Sequence, residues 1–165
     1  MLTLPKIEAR PERAYAYIRF TVPMNEVAKP ANEGFPALFG FLAQNQIKPV
    51  GAAFYNYRRI DMAATMEIEA GVPVERIGTG DGRILFGTLP AGNYAMLTHT
   101  GHYNELMDVT AVMIGWLKEK GIALDVQSQP DGDHFACRLE IYETDPAEEP
   151  DPNKWVTILA FKTAD

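Results

Sequence analysis

The chain is poor in cysteine, in positive charge and in long apolar runs, and each shortage narrows what it can be. Its 165 residues hold one cysteine, Cys137, so no internal disulfide can form, and a reducing cytosol suits it. No apolar run approaches the ~18 residues of a membrane span, and the opening MLTLPKIEARPE lacks a signal-peptide pattern. A cytoplasmic protein with no membrane partner is therefore expected. Fifteen Lys and Arg stand against 22 Asp and Glu, a formal charge of −7. Phosphate binding needs a concentrated basic surface, so no direct contact with nucleic acid is expected. His99, His102 and His134 lack matched spacing and a fourth ligand, which speaks against a metal. There is no glycine-rich phosphate loop or nucleophile elbow, since Gly78-Thr79-Gly80-Asp81-Gly82 reads as a turn, and no cofactor is expected.

What is present is an ordinary globular composition, 47% hydrophobic and 22% charged, in a length that suits one domain over residues 1–165. The most informative stretch is Phe135 to Tyr142, FACRLEIY. With side chains alternating at period two, Phe135, Cys137, Leu139 and Ile141 share one strand face, and Arg138, Glu140 and Tyr142 share the other. Cys137 is thus expected as a small core residue. Glu140 has two readings: a solvent-facing acid paired with Arg138, or an acid at the floor of a ligand cleft.

Along the chain, Met1 to Arg13 reads as a loosely ordered lead-in and Tyr15 to Val22 as a strand. A helix follows near Pro36, with Leu38, Phe41 and Leu42 at helical spacing, and then strands at Ala53–Tyr57 and Ala63–Ala70. The second half repeats that order. Strands at Ile84–Thr88 and Asn93–Thr100 precede a helix that Asn104 can cap. Its stripe Leu106, Val109, Met113, Trp116 and Leu117 runs to Gly121. Strands near 123–128, at 135–142 and at Trp155–Lys162 complete the chain.

Leu38-Phe39-Gly40-Phe41-Leu42 aligns with Met113-Ile114-Gly115-Trp116-Leu117, and Glu67-Ile68 with Glu140-Ile141. The spacing predicts duplicated strand–helix–strand–strand units, about 14–76 and 83–162, forming an antiparallel sheet of α+β class with two main helices. It places Glu67 and Glu140 at equivalent positions about a pseudo-twofold, with a central ligand cleft between the units.

In this order the residues also resemble those of the GyrI-like family, the effector-binding domains attached to AraC-type and MerR-type multidrug-sensing activators. Ile47-Lys48-Pro49-Val50-Gly51-Ala52-Ala53-Phe54-Tyr55, Leu89-Pro90-Ala91-Gly92-Asn93-Tyr94-Ala95 and His99-Thr100-Gly101-His102-Tyr103-Asn104-Glu105-Leu106 carry the likeness. Trp116, Glu140-Ile141-Tyr142 and Asp145-Pro146 follow in sequence. The resemblance implies a binder of amphipathic, often cationic aromatic compounds. Glu140 would be the buried acid, with Trp116, Trp155 and Tyr55 or Tyr57 as walls. Tyr103 stands beside the second helix start as a further candidate, and the repeat makes Glu67 the counterpart of Glu140. Residues Met1 to Arg13 are too few for a helix-turn-helix, so any transcriptional output is expected to lie in a separate regulator.

The same resemblance implies two rivals. One is a hydrolase of cyclopropane-bearing toxins, with Glu140 as acid or base and Tyr142 or Tyr103 orienting the reacting group. The other is a gyrase modulator acting through protein contacts at the acidic loop Glu143–Asp151.

Overall fold

A computed structural model describes all 165 residues. Ten strands and two principal helices alternate along it. In chain order they are β1 (Lys6–Arg10), β2 (Arg13–Val22), α1 (Phe35–Gln44), β3 (Phe54–Ile60), β4 (Met66–Pro73), β5 (Leu85–Leu89) and β6 (Gly92–Thr100). Then come α2 (Leu106–Lys120), β7 (Val126–Gln129), β8 (Gly132–Phe135), β9 (Arg138–Tyr142) and β10 (Val156–Lys162). All the strands join one sheet, ordered β1-β6-β10-β9-β3-β4-β2-β5, with β8 added to the far end of β3 and β7 to β8. Every pairing is antiparallel.

Two runs of three strands, β3-β4-β2 and β9-β10-β6, have the same internal order and meet where β3 pairs with β9. Within this arrangement β9 answers to β3, and β10 answers to β4. The sequence alignment of Glu67 with Glu140 therefore sets β4 beside β9, two strands that do not correspond. Glu140 instead lies directly across from Tyr55 at the junction of the halves.

Both faces of the sheet are covered, which is why several strands are buried on both sides. α1 presses Leu38 and Leu42 onto Ala16, Ile18 and Val72, and α2 presses Val109, Met113 and Leu117 onto Ala95, Leu97 and Leu159. Each side chain so buried contributes about 1.5–3 kcal/mol relative to exposure. On the other face Tyr15, Phe54, Leu89, Tyr94, Leu139 and Ile141 pack together, joining strands from both ends of the sheet. The helix stripe in α2 thus seats as its spacing predicts, and Gly121 ends the helix with φ 67°, a left-handed turn that costs glycine nothing.

Several expectations need correction. The N-terminal lead-in is not loose: residues 6–10 form β1, an edge strand in register with β6 from Lys6↔Met96 to Arg10↔Gly92. The strand expected at 63–70 runs from Met66 to Pro73, because Asp61 closes a turn over 61–65 by accepting from the Ala63 amide. The strand expected over 135–142 breaks at Ala136 and Cys137. Cys137, Leu139 and Ile141 do share the buried face, but Phe135, beyond the break, lies under the Arg138 guanidinium at 4.7 Å. The α2 approach is capped by the ring of His102, whose Nδ1 accepts from the Asn104 amide; Asn104 itself lies inside a short 3-10 turn.

Candidate functional site

Glu140 projects from β9 on the face that carries the helices, between Tyr55 of β3 and Leu159 of β10. Each flanking strand belongs to a different half of the chain, so the carboxylate sits at the seam between α1 and α2. Its partners are tyrosines. Tyr142, two residues on and therefore on the same face, donates its hydroxyl to Glu140 Oε1 at 2.6 Å, and Tyr57 approaches the same oxygen at 3.4 Å. The first is a charge-assisted bond at the short end of its range, the second a weak one.

Around the acid the rings form a continuous wall. Tyr55 packs edge-on against Tyr142, with centroids 5.4 Å apart, and Phe35 of α1 meets both. Tyr103 lies 5.5 Å from Tyr142 and 4.6 Å from Trp155, carrying the wall across to the start of α2. Tyr55 is fixed at its far end: its hydroxyl donates to the Val27 carbonyl and accepts from the Ala31 amide, both at 2.8 Å. Trp155 is fixed too, by an indole N–H to the Glu149 carbonyl at 2.8 Å. The walls therefore bring their orientation from the scaffold, and the carboxylate lies half-buried among them.

Burial pushes the Glu140 carboxyl above the usual carboxylate range, opposed by the Tyr142 hydrogen bond, the Arg138 charge and the Tyr57 hydroxyl. Tyr57 and Tyr142 are pushed well up by burial and then by the neighbouring Glu140 charge, so both remain hydrogen-bond donors at neutral pH. Tyr103 is also raised, by burial and then by Asp145 and Glu140.

Arg138 decides between the two readings of Glu140. Although it stands on the same face two residues away, it makes no salt bridge to the acid. Its guanidinium lies 4.7 Å from the Phe135 ring and 4.6 Å from that of Phe161, and its buried Nε has no hydrogen-bond partner. Desolvation depresses its basicity. The surface ion pair that alternation allowed does not form.

Of the residues singled out from the sequence, Glu140, Tyr142, Tyr55, Tyr57, Tyr103 and Trp155 are brought together. Trp116 is not part of the ring wall: it lies half-buried against the core under α2, beside Ile114. Glu67 stands on the opposite face of the sheet, in ion pairs with Arg19 at 3.0 Å and Arg59 at 3.8 Å. Its neighbour Glu69 is the acid buried on that face, bonded by Tyr15 at 2.6 Å, Asn56 at 3.1 Å and Arg19 at 3.2 Å, with Arg58 at 3.5 Å. Phe35 carries no sequence signal beyond its place just before Pro36 at the helix start. A cavity of about 310 Å³ also lies on the face opposite Glu140.

The fold is an α+β antiparallel sheet with two main helices, and on its helix face a carboxylate stands among aromatic rings. The sequence profile of the GyrI-like small molecule binding domain matches residues 4–161, and the chain belongs to that family. Among solved structures, the EcmrR C-terminal domain superposes with a TM-score of 0.79 at 20% identity, covering 98% of each chain. EcmrR in a DNA complex superposes at 0.81 and 19% identity over 97% of this chain, which spans only 57% of that one. SAV2435 bound to tetraphenylphosphonium superposes at 0.60 and 8% identity, over 98% of this chain and 94% of that one. No curated protein matches the sequence.

Proposed function

We propose that this domain binds amphipathic aromatic cations at Glu140. One observation carries the reading: a half-buried carboxylate with two tyrosine hydroxyls and no cation in contact, although Arg138 is two residues away on the same face. Burying such a charge is costly unless a counter-ion shares the site. A delocalised organic cation supplies that charge without bringing a tight hydration shell, and the faces of Tyr55, Tyr103, Tyr142 and Trp155 add cation–π attraction of about 0.5–2 kcal/mol. Tetraphenylphosphonium bound to SAV2435 is a ligand of that chemistry on the same fold. Because stacking fixes shape loosely, a range of related cations is expected to bind.

Entry in this scheme asks the partly exposed rings around the acid to part further. Tyr103, on a short turn with no hydrogen bond to its hydroxyl, is the ring that moves in this scheme, whereas Tyr55 and Trp155 are each held by hydrogen bonds. The test is calorimetric titration with tetraphenylphosphonium and with neutral triphenylphosphine oxide. Glu140→Gln should weaken the cation at least tenfold, about 1.4 kcal/mol, and the neutral compound much less. Equal losses for both, or none, remove Glu140 from the binding site.

A further inference from the structure

The face opposite Glu140 holds a second place where a ligand can sit. Phe54, Leu89, Met96, Leu139, Ile141 and Ile158 line a cavity of about 310 Å³. They come from β3, β5, β6, β9 and β10, so both halves of the chain build it. A smaller cavity of about 130 Å³ shares Arg10, Arg13, Leu89 and Leu139 with it. The larger volume alone is at the lower end of ordinary small-molecule sites, about 300–1,000 Å³.

Its charged groups are unevenly engaged. Arg10 and Arg13 flank both cavities from the corner between β1 and β2, and neither is in an ion pair. Arg13 donates to the Val50 carbonyl at 2.5 Å, which leaves the rest of its guanidinium fork free, and Arg10 lies 5.6 Å from the Tyr94 ring. Gly51 allows this placement, because a Cβ there would stand 3.0 Å from Arg13 Nη2. The two acids on the lining are weaker counterweights. Glu8 is held by Lys6 at 2.7 Å with its side chain 44% exposed, and Glu143 is exposed at the rim. An apolar floor beside two guanidinium groups that no acid engages suits a planar apolar body with a single carboxylate. The net charge of −7 does not argue against it, since the local field at a site is set by its own groups.

We infer that this cavity binds aromatic carboxylates through Arg10 and Arg13, on the other side of the sheet from Glu140. The two sites share strands β3, β9 and β10 but no side chain, because alternation sends Glu140 and Tyr142 to one face and Leu139 and Ile141 to the other. The domain would then take a cation and an anion at separate places.

Calorimetry with 1-naphthoate, and with 1-naphthamide as its neutral isostere, tests this on the full chain. Wild-type protein should bind naphthoate at least tenfold more tightly than naphthamide. The double substitution Arg10→Ala with Arg13→Ala should abolish that preference while leaving tetraphenylphosphonium titration as it was. Met96→Trp, which fills the cavity from a half-buried position, should weaken both naphthalene compounds. Glu140→Gln should leave naphthoate affinity unchanged, so the two sites fail or stand separately. The proposal is overturned by absence of naphthoate binding, by equal affinity for the amide, or by competition between naphthoate and tetraphenylphosphonium.

Discussion

Tyr142 holds Glu140 from two positions along the same strand, with its hydroxyl 2.6 Å from Oε1, while Arg138, two positions the other way, stays on aromatic rings. The acid is thus positioned by donors that remain neutral, and its charge is left for something else. Burial raises the Glu140 pKa, so the folded protein holds this proton more tightly than the unfolded chain does. The linkage sign follows: the native state binds more protons, and stability falls as pH rises from the ordinary glutamate range through the raised value. Glu140→Gln removes that penalty. Thermal unfolding should show the variant more stable than wild type at pH 7–8, with the gap closing toward pH 4. A variant less stable at neutral pH would mean that the carboxylate is well solvated.

Tyr142→Phe isolates the short hydrogen bond. The Tyr142 hydroxyl lowers the Glu140 pKa against the pull of burial, so its loss moves that pKa further up. Cation binding requires the ionised acid, so affinity for tetraphenylphosphonium should fall as pH drops, and the midpoint of that fall should lie higher in the variant. At pH 8 the two proteins should differ little, by about 1 kcal/mol or less, because the ring remains available for stacking. An unchanged midpoint would show that Tyr142 does not hold the acid.

Glu69 makes a different prediction, one of stability rather than binding. It is fully buried and gathers Tyr15, Asn56, Arg19 and Arg58 on the face away from Glu140. Glu69→Ala would leave the buried Tyr15 hydroxyl and the Asn56 amide short of an acceptor. Removing one member of a buried network costs several kcal/mol, here discounted because the arginines are 46% and 37% exposed; about 2 kcal/mol is expected. Urea unfolding should show this as a lower midpoint at constant slope. Cation affinity at Glu140 should not change.

The contrast between Glu67, Glu69 and Glu140 shows what alternation can and cannot say. Period two separates Glu140 from Leu139 and Ile141, and the structure keeps that separation. It does not say which face of a sheet carries the helices, and here both faces are packed, so β4 is buried along nearly its whole length. That is why Glu67 and Glu140 could look equivalent while pointing to opposite sides. Helix α2 was legible because its stripe and Gly121 are local signals. The pairing of β3 with β9, the conversion of residues 6–10 into an edge strand and the arrival of Phe35 beside Tyr142 depend on contacts distant in sequence. No window of the chain contains them.

Thr157 offers a test in the opposite direction, a substitution that should strengthen the fold. Its hydroxyl is buried without a hydrogen-bond partner, and so are both ring nitrogens of His99, which lies directly across from it on β6. His99 Nε2 comes within 3.5 Å of Glu105 Oε2, outside hydrogen-bond geometry. On its other side Thr157 is in register with Tyr142, so the pair adjoins the groove at Glu140. A buried hydroxyl with no partner carries its full desolvation cost, about 1–3 kcal/mol, and a valine of the same branching replaces it with a methyl that packs. Thr157→Val should therefore raise stability by about 1 kcal/mol, read as a higher urea midpoint at unchanged slope. A loss of stability instead would place an ordered water between Thr157 and His99, since only a satisfied hydroxyl is missed when it is removed.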